Sequence, residues 1–187
     1  MSEALLLPSH WLWTFEDLDR FPEDGNRYEI IDGSLLVSPP PPVNHASVAE
    51  NLSYLLHAAA SPAMRVAQGV GVLVDGDLET QYLIPDVLVA DRAVRDVQSY
   101  RPADVHLVVE VVSPSSVTRD RITKREVYAR MGIPIYWIVE TAVPGRVTVL
   151  TLDATSAYVE TQVAVGEQEL VVDRPFDFRV VVESLLT

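Results

Sequence analysis

Two acids interrupt stretches that otherwise read as buried β-strand. Glu110 lies in "LVVEVV" (107–112) with two valines on each side, and Asp86 lies in "YLIPDVLVA" (82–90) among Leu83, Ile84, Val87, Leu88 and Val89. An ionised carboxylate in such a strand costs several kcal/mol unless a cation or hydrogen-bond donors compensate it. A single buried acid is commonly a structural hydrogen-bond acceptor. Two on successive core strands can converge if the strands are neighbours, and like charges in a low dielectric then require a proton or a cation between them. Oxygen ligands suit a hard divalent ion such as Mg²⁺, which takes one or two carboxylates and completes its shell with water and substrate phosphate. The same pair could act as general acid and base in sugar hydrolysis, but that chemistry asks for an aromatic-lined cleft that the sequence does not announce.

Lys124 is the only lysine, beside thirteen arginines. It is spaced by four from both Asp120 and Tyr128, so the three share one helical face with Met131, on a stripe otherwise suited to packing on a sheet. A lysine there can snorkel, with its stem buried and its head in water. Beside two acids and a metal it could instead hold the attacking water, lend charge to the transition state, or transfer a proton if its pKa falls. Tyr128 reads as packing, and Asp120 as a helix cap or a partner of Arg121.

The elements that must position these residues follow from periodicity. "TFEDLDRFP" (14–22) reads as a short helix capped by Thr14 and closed before Pro22. "RYEIIDGSLLVSP" is a hairpin turning at Asp32-Gly33, and Pro39 to Pro42 form a stiff connector. Asn44 is expected to cap a helix from His45 to about Ala60, with His45, Val48, Leu52, Leu55 and Ala59 on one face. Strands are expected near 64–74, 82–90 and 105–112, and a second helix from about Ser116 to Met131, stopped by Gly132 and Pro134. "IYWIV" (135–139), "RVTVLTL" and "SAYVETQVAV" make the C-terminal half strand-rich. Strand, helix and strand over 105–139 form a β-α-β unit, which calls for parallel pairing.

Composition bounds the partners. At 187 residues with 48% hydrophobic content, the chain fits one domain with a sizeable core, spanning 1–187 with a tail at 1–13. No apolar run reaches membrane-spanning length and no secretion signal is evident, so a cytoplasmic, non-membrane protein is expected. The absence of cysteine excludes disulfides and thiolate metal sites. A formal charge of −13 opposes broad attraction to nucleic acid, although five of the fourteen basic residues cluster in "RDRITKREVYAR" (119–130). There is no dinucleotide fingerprint, no phosphate-binding P-loop, no nucleophile elbow and no internal repeat.

Taken in order, "YEIIDG", "PPPPVNHASVAENL", "IPDVLVADR", "HLVVEVVSPSS" and "RDRITKREVYARMGIPIYWIVE" resemble the Uma-type family of the PD-(D/E)xK restriction-endonuclease-like superfamily, over nearly the whole chain from about residue 14. The resemblance implies an α/β fold, a mixed β-sheet flanked by helices. It implies Asp86 as the motif aspartate and Glu110 as the second acid. Lys124 stands in for the lysine normally two places after the glutamate, where this chain has Val112. Glu29 and His45 match a family glutamate and histidine and are expected as supporting residues.

The expectation is therefore a Mg²⁺- or Mn²⁺-dependent endonuclease acting on DNA, with Asp86 and Glu110 as metal ligands and Asp86, Glu110 and Lys124 as catalytic residues. A two-fold homodimer would let each protomer address one strand. The competing expectation is a non-catalytic binding or assembly module on the same fold with a decayed site, supported by the negative charge and the lack of an extended basic groove.

Overall fold

The structure is a computed structural model that describes residues 11–74, 80–95, 97–113 and 117–186. Its backbone is a six-stranded sheet that carries the core, a five-stranded sheet beside it, and a terminal hairpin. The first strands are β1 (Arg27–Ile31) and β2 (Ser34–Ser38), paired antiparallel across Asp32-Gly33. Both turn residues have positive φ, 48° and 73°. That geometry matches the right-handed twist of the flanking strands, and glycine adopts it without a Cβ penalty.

The connector of prolines leads into α1 (Val43–Ala59). Here the expected Asn44 cap is corrected. Pro42, in extended conformation, is the N-cap and no side chain caps the helix, while its carbonyl accepts from Ala46 N–H at 3.0 Å. Proline's fixed φ and missing N–H place the helix start at the end of the rigid run, two residues earlier than the asparagine suggested. The buried stripe is His45, Val48, Ala49, Leu52 and Leu56, so Ala59 falls outside it. Similarly, Thr14 donates to Asp17 through both its N–H and Oγ1 at 3.1 Å, and the first helix is a 3₁₀ turn over Glu16–Arg20.

Two expected strands each divide. The 64–74 run is β3 (Met64–Ala67) and β4 (Gly71–Leu73), and 82–90 is β5 (Tyr82–Leu83) and β6 (Val87–Asp91), with the halves in different sheets. Pro85 has no N–H for a ladder, which explains the second break. After β7 (Ser99–Tyr100) come β8 (Val105–Val112), α2 (Lys124–Arg130), β9 (Ile135–Glu140), β10 (Arg146–Leu152), β11 (Tyr158–Val165), β12 (Glu169–Val172) and β13 (Phe178–Val181). The six-stranded order is β11-β10-β9-β8-β6-β3, and the five-stranded order is β2-β1-β5-β4-β7. In the larger sheet β8 and β9 are parallel, as a β-α-β unit requires, and the other pairings are antiparallel.

The central sheet is buried on both faces, which is why its strands are nearly continuous runs of β-branched residues. On one face Val87, Val109, Val111 and Trp137 pack with Leu52 and Leu56 of α1 and with Phe178 and Leu185 from the C-terminal segment. On the other, Leu88, Val108, Val112 and Tyr136 pack with Val127 and Tyr128 of α2 and with Leu83. The expected start of the second helix at Ser116 lies outside the described residues. Within them, its Arg119–Thr123 portion is a π-helical turn.

Candidate active site

Alternation along β8 puts Val109 and Val111 into the α1 side of the core, so Glu110 points with Val108 and Val112 toward α2. In the β6–β8 ladder Val87 faces Val109 and Leu88 faces Val108. Asp86 immediately precedes β6, and its Oδ2 accepts the N–H of Val111, the residue after Glu110 on β8.

The pocket that holds them has a volume of about 260 Å³ and is lined by Arg27, Glu29, His45, Asp86, Glu110, Arg119, Asp120 and Lys124, with Pro39 to Pro42 along one side. Asp86, Glu110, Lys124, Glu29 and His45 all reach this one cavity. Each is less than a tenth exposed. Every contact made by the acids has a specific donor. Asp86 Oδ1 accepts from Arg27 Nη1 at 2.5 Å, and Oδ2 accepts from Val111 N–H at 2.8 Å and lies 3.2 Å from His45 Nε2. Lys124 Nζ donates to Glu110 Oε1 at 2.8 Å and to Glu29 Oε1 at 2.9 Å. Glu29 Oε1 also takes the N–H of Ile84, the residue before Pro85.

Arg27, Arg119 and Tyr128 went unread in the sequence as parts of this site. Arg27 is two residues from Glu29 on β1, so strand alternation sends both to the same face. Tyr128, expected only to pack, donates its hydroxyl to Glu110 Oε1 at 2.7 Å, and its spacing of four from Lys124 was the available signal. Asp120 does not pair with Arg121, which bridges Glu140 instead. Asp120 is buried with its Oδ1 3.7 Å from Arg119 Nε, and its carbonyl accepts from Tyr136 Oη at 2.8 Å. The wide π turn, in which Lys124 N–H bonds the carbonyl of Arg119, thereby turns both Asp120 and Lys124 inward.

The electrostatics follow from crowding. Four carboxylates (Glu29, Asp86, Glu110, Asp120) share the pocket with three fixed cations (Arg27, Arg119, Lys124), so acid is in excess. Burial pushes Glu110 up to about 8; Lys124 pulls it down, but Asp86, Asp120 and Glu29 add to the upward push. Asp86 is also driven up by burial, yet the hydrogen bond and charge of His45 and the guanidinium of Arg27 outweigh this and hold it below the usual carboxylate range. Burial opposes the charge on Lys124, but Glu110, Glu29 and Asp120 more than offset that and raise it above the ordinary lysine value. Lys124 is therefore a permanent cation, suited to lending charge and not to surrendering a proton.

Replacing Tyr128 with phenylalanine removes one donor from a buried acid and little volume. The expected loss is about 1–3 kcal/mol of stability, read as a lower denaturant midpoint at unchanged slope. An unchanged midpoint would mean that the hydroxyl is not bonded to Glu110.

Among the described residues, no three side chains of the His, Cys, Asp and Glu types form a ready-made metal-binding group. The two carboxylates that line this pocket nevertheless fit a hard divalent ion in donor chemistry, because Mg²⁺ uses one or two carboxylates and keeps water and phosphate in its other positions. They do not fit a soft or fully caged metal. Among the described residues, no helix is long and apolar enough to cross a membrane.

The family model Uma2, described as "Putative restriction endonuclease", matches residues 15–183. A crystal structure described as a "putative nuclease belonging to DUF820", from Anabaena variabilis, superposes with a TM-score of 0.69 at 16% identity, covering 92% of this chain and 97% of that one. At that identity the likeness concerns the fold. A search of the curated proteins finds no match.

Proposed function

The chain belongs to the Uma2 family, and from that premise we propose that it is a metal-dependent endonuclease that hydrolyses phosphodiester bonds in DNA. Asp86 and Glu110 would hold the ion, Mg²⁺ or Mn²⁺, and Lys124 would be the catalytic cation. One observation carries the reading: two carboxylates, Glu110 on β8 and Asp86 at the entry to the neighbouring β6, line one cavity with Lys124, Arg27 and Arg119. A bound divalent ion supplies Lewis-acid charge to the phosphate and makes a water more acidic.

The chain's own residues supply the rest. His45 and the Val111 N–H hold Asp86 in orientation. Glu29 and Tyr128 flank the Lys124–Glu110 contact, so the ammonium group is fixed before substrate arrives and costs no reorganisation during the reaction. Two-fold association of such chains would bring one site to each strand of a duplex.

The test is cleavage of plasmid DNA with Mg²⁺ or Mn²⁺ by the wild type, Asp86→Asn and Glu110→Gln. The wild type is expected to nick or linearise the plasmid, and each variant to be slower by about a hundredfold or more. Equal rates in all three would remove these residues from the reaction. The lack of a three-ligand group among the described residues and the net charge of −13 favour the second reading, a non-catalytic module. It gains if Mn²⁺ produces neither titration heat nor a rise in melting temperature.

A further inference from the structure

Arg27 is the partly exposed cation of this pocket that is bonded to a proposed metal ligand. Its side chain is 29% exposed, against 4% for Lys124, and it bonds one oxygen of Asp86, Oδ1. The other oxygen, Oδ2, is held independently by Val111 N–H and His45. Asp86 therefore keeps its orientation with or without the guanidinium group, and Oδ1 is the exchangeable position.

A guanidinium group cannot discharge by losing a proton. When another cation takes Oδ1, the head of Arg27 is repelled and needs a new anion. Glu29 and Glu110 also attract it, but both already accept from Lys124. The anion that reaches the pocket from outside is a nucleic-acid phosphate. Arg119 lines the same cavity; its Nε is buried and has no hydrogen-bond partner among the described residues, with Asp120 Oδ1 3.7 Å away. A second guanidinium group is thus on hand for that phosphate.

Resting on the nuclease reading, we infer that Arg27 is an exchangeable counter-ion. It neutralises Asp86 while no divalent ion is held, and it turns to a phosphodiester oxygen when one is, so that ion and nucleic acid bind cooperatively. Arg27 is then both a brake on metal loading in the absence of substrate and a substrate contact in its presence.

The experiment is calorimetric titration of Mn²⁺ into the full chain, with and without a short single-stranded DNA, for the wild type, Arg27→Met, Arg27→Gln and Asp86→Asn. If the ion pair occupies about nine molecules in ten, both Arg27 variants bind Mn²⁺ about tenfold more tightly than the wild type. In the wild type the DNA tightens Mn²⁺ by about tenfold, Mn²⁺ tightens DNA by the same factor, and in the Arg27 variants this coupling falls below about twofold.

If Arg27 merely holds Asp86 in place, its variants bind Mn²⁺ more weakly, which overturns the inference. Wild-type binding without coupling to DNA overturns it too, whether or not either variant folds. Mn²⁺ binding that is lost in Asp86→Asn but not tightened in the Arg27 variants rejects the counter-ion and leaves the nuclease reading standing. No binding by any of the four proteins rejects both.

Discussion

Replacing Lys124 with alanine is expected to destabilise the protein by about 3–5 kcal/mol at neutral pH, the range for removing one partner of a buried ion pair, here the pair with Glu29. The lysine is 3% exposed and its ammonium group is within 2.9 Å of two acids. Without it, Glu29 retains the Ile84 N–H but no cation, and Glu110 retains only the hydroxyl of Tyr128. Arginine is a poor substitute, since a planar fork cannot reproduce the contacts of a compact ammonium group held between two carboxylates. Urea or guanidinium unfolding measures the loss. Neutralising the acids as well, in the triple variant Glu29→Gln, Glu110→Gln and Lys124→Met, should recover most of it, because replacing a whole buried charge cluster is often close to neutral. A single-variant cost below about 1 kcal/mol would show that the ammonium group is solvated. The same substitution should abolish cleavage if the proposed function is right, and comparison of stability with activity in Lys124→Met separates the two roles.

The parts of this site that sequence made legible are those where a residue contradicts its surroundings. Asp86 and Glu110 break apolar strands, and Lys124 puts a charge on an apolar stripe in a chain that otherwise uses arginine. Each implies a compensating partner. Arg27 and Tyr128 contradict nothing locally, since an arginine at a strand start and a tyrosine on a packing stripe are ordinary; the contact of Arg27 follows only from the pairing of distant strands, and that of Tyr128 only from the seating of its helix over β8.

The division of 64–74 and 82–90 between two sheets was hidden for a related reason. Hydrophobic alternation says which face a side chain takes but not which neighbour the backbone pairs with. The π turn at Arg119–Thr123 also escaped, because a widened turn preserves the spacing of four between Asp120 and Lys124 that an ordinary helix would be assigned.

Raising the pH from about 5 to 8 is expected to weaken the fold, opposite in sign to the effect of an ordinary paired carboxylate. Glu110 has a folded value of about 8 against 4.5 for the unfolded chain, so between those values the native state binds more protons than the unfolded one. Stability then falls as pH rises through this window. The other shifted groups of the site act elsewhere. Asp86 is depressed, so its contribution is present above its ordinary 3.8 and is lost as pH falls through its lower folded value. Lys124 is raised, so its contribution is present below 10.5 and is lost only as pH passes its higher folded value. Within 5 to 8 the slope belongs to Glu110, and Glu110→Gln should flatten it. Denaturant unfolding of both proteins at pH 5, 6, 7 and 8 measures the difference. A wild-type stability that rises over this interval, or a slope that survives in Glu110→Gln, would mean that Glu110 is ionised throughout and that Lys124 outweighs both burial and the three neighbouring acids.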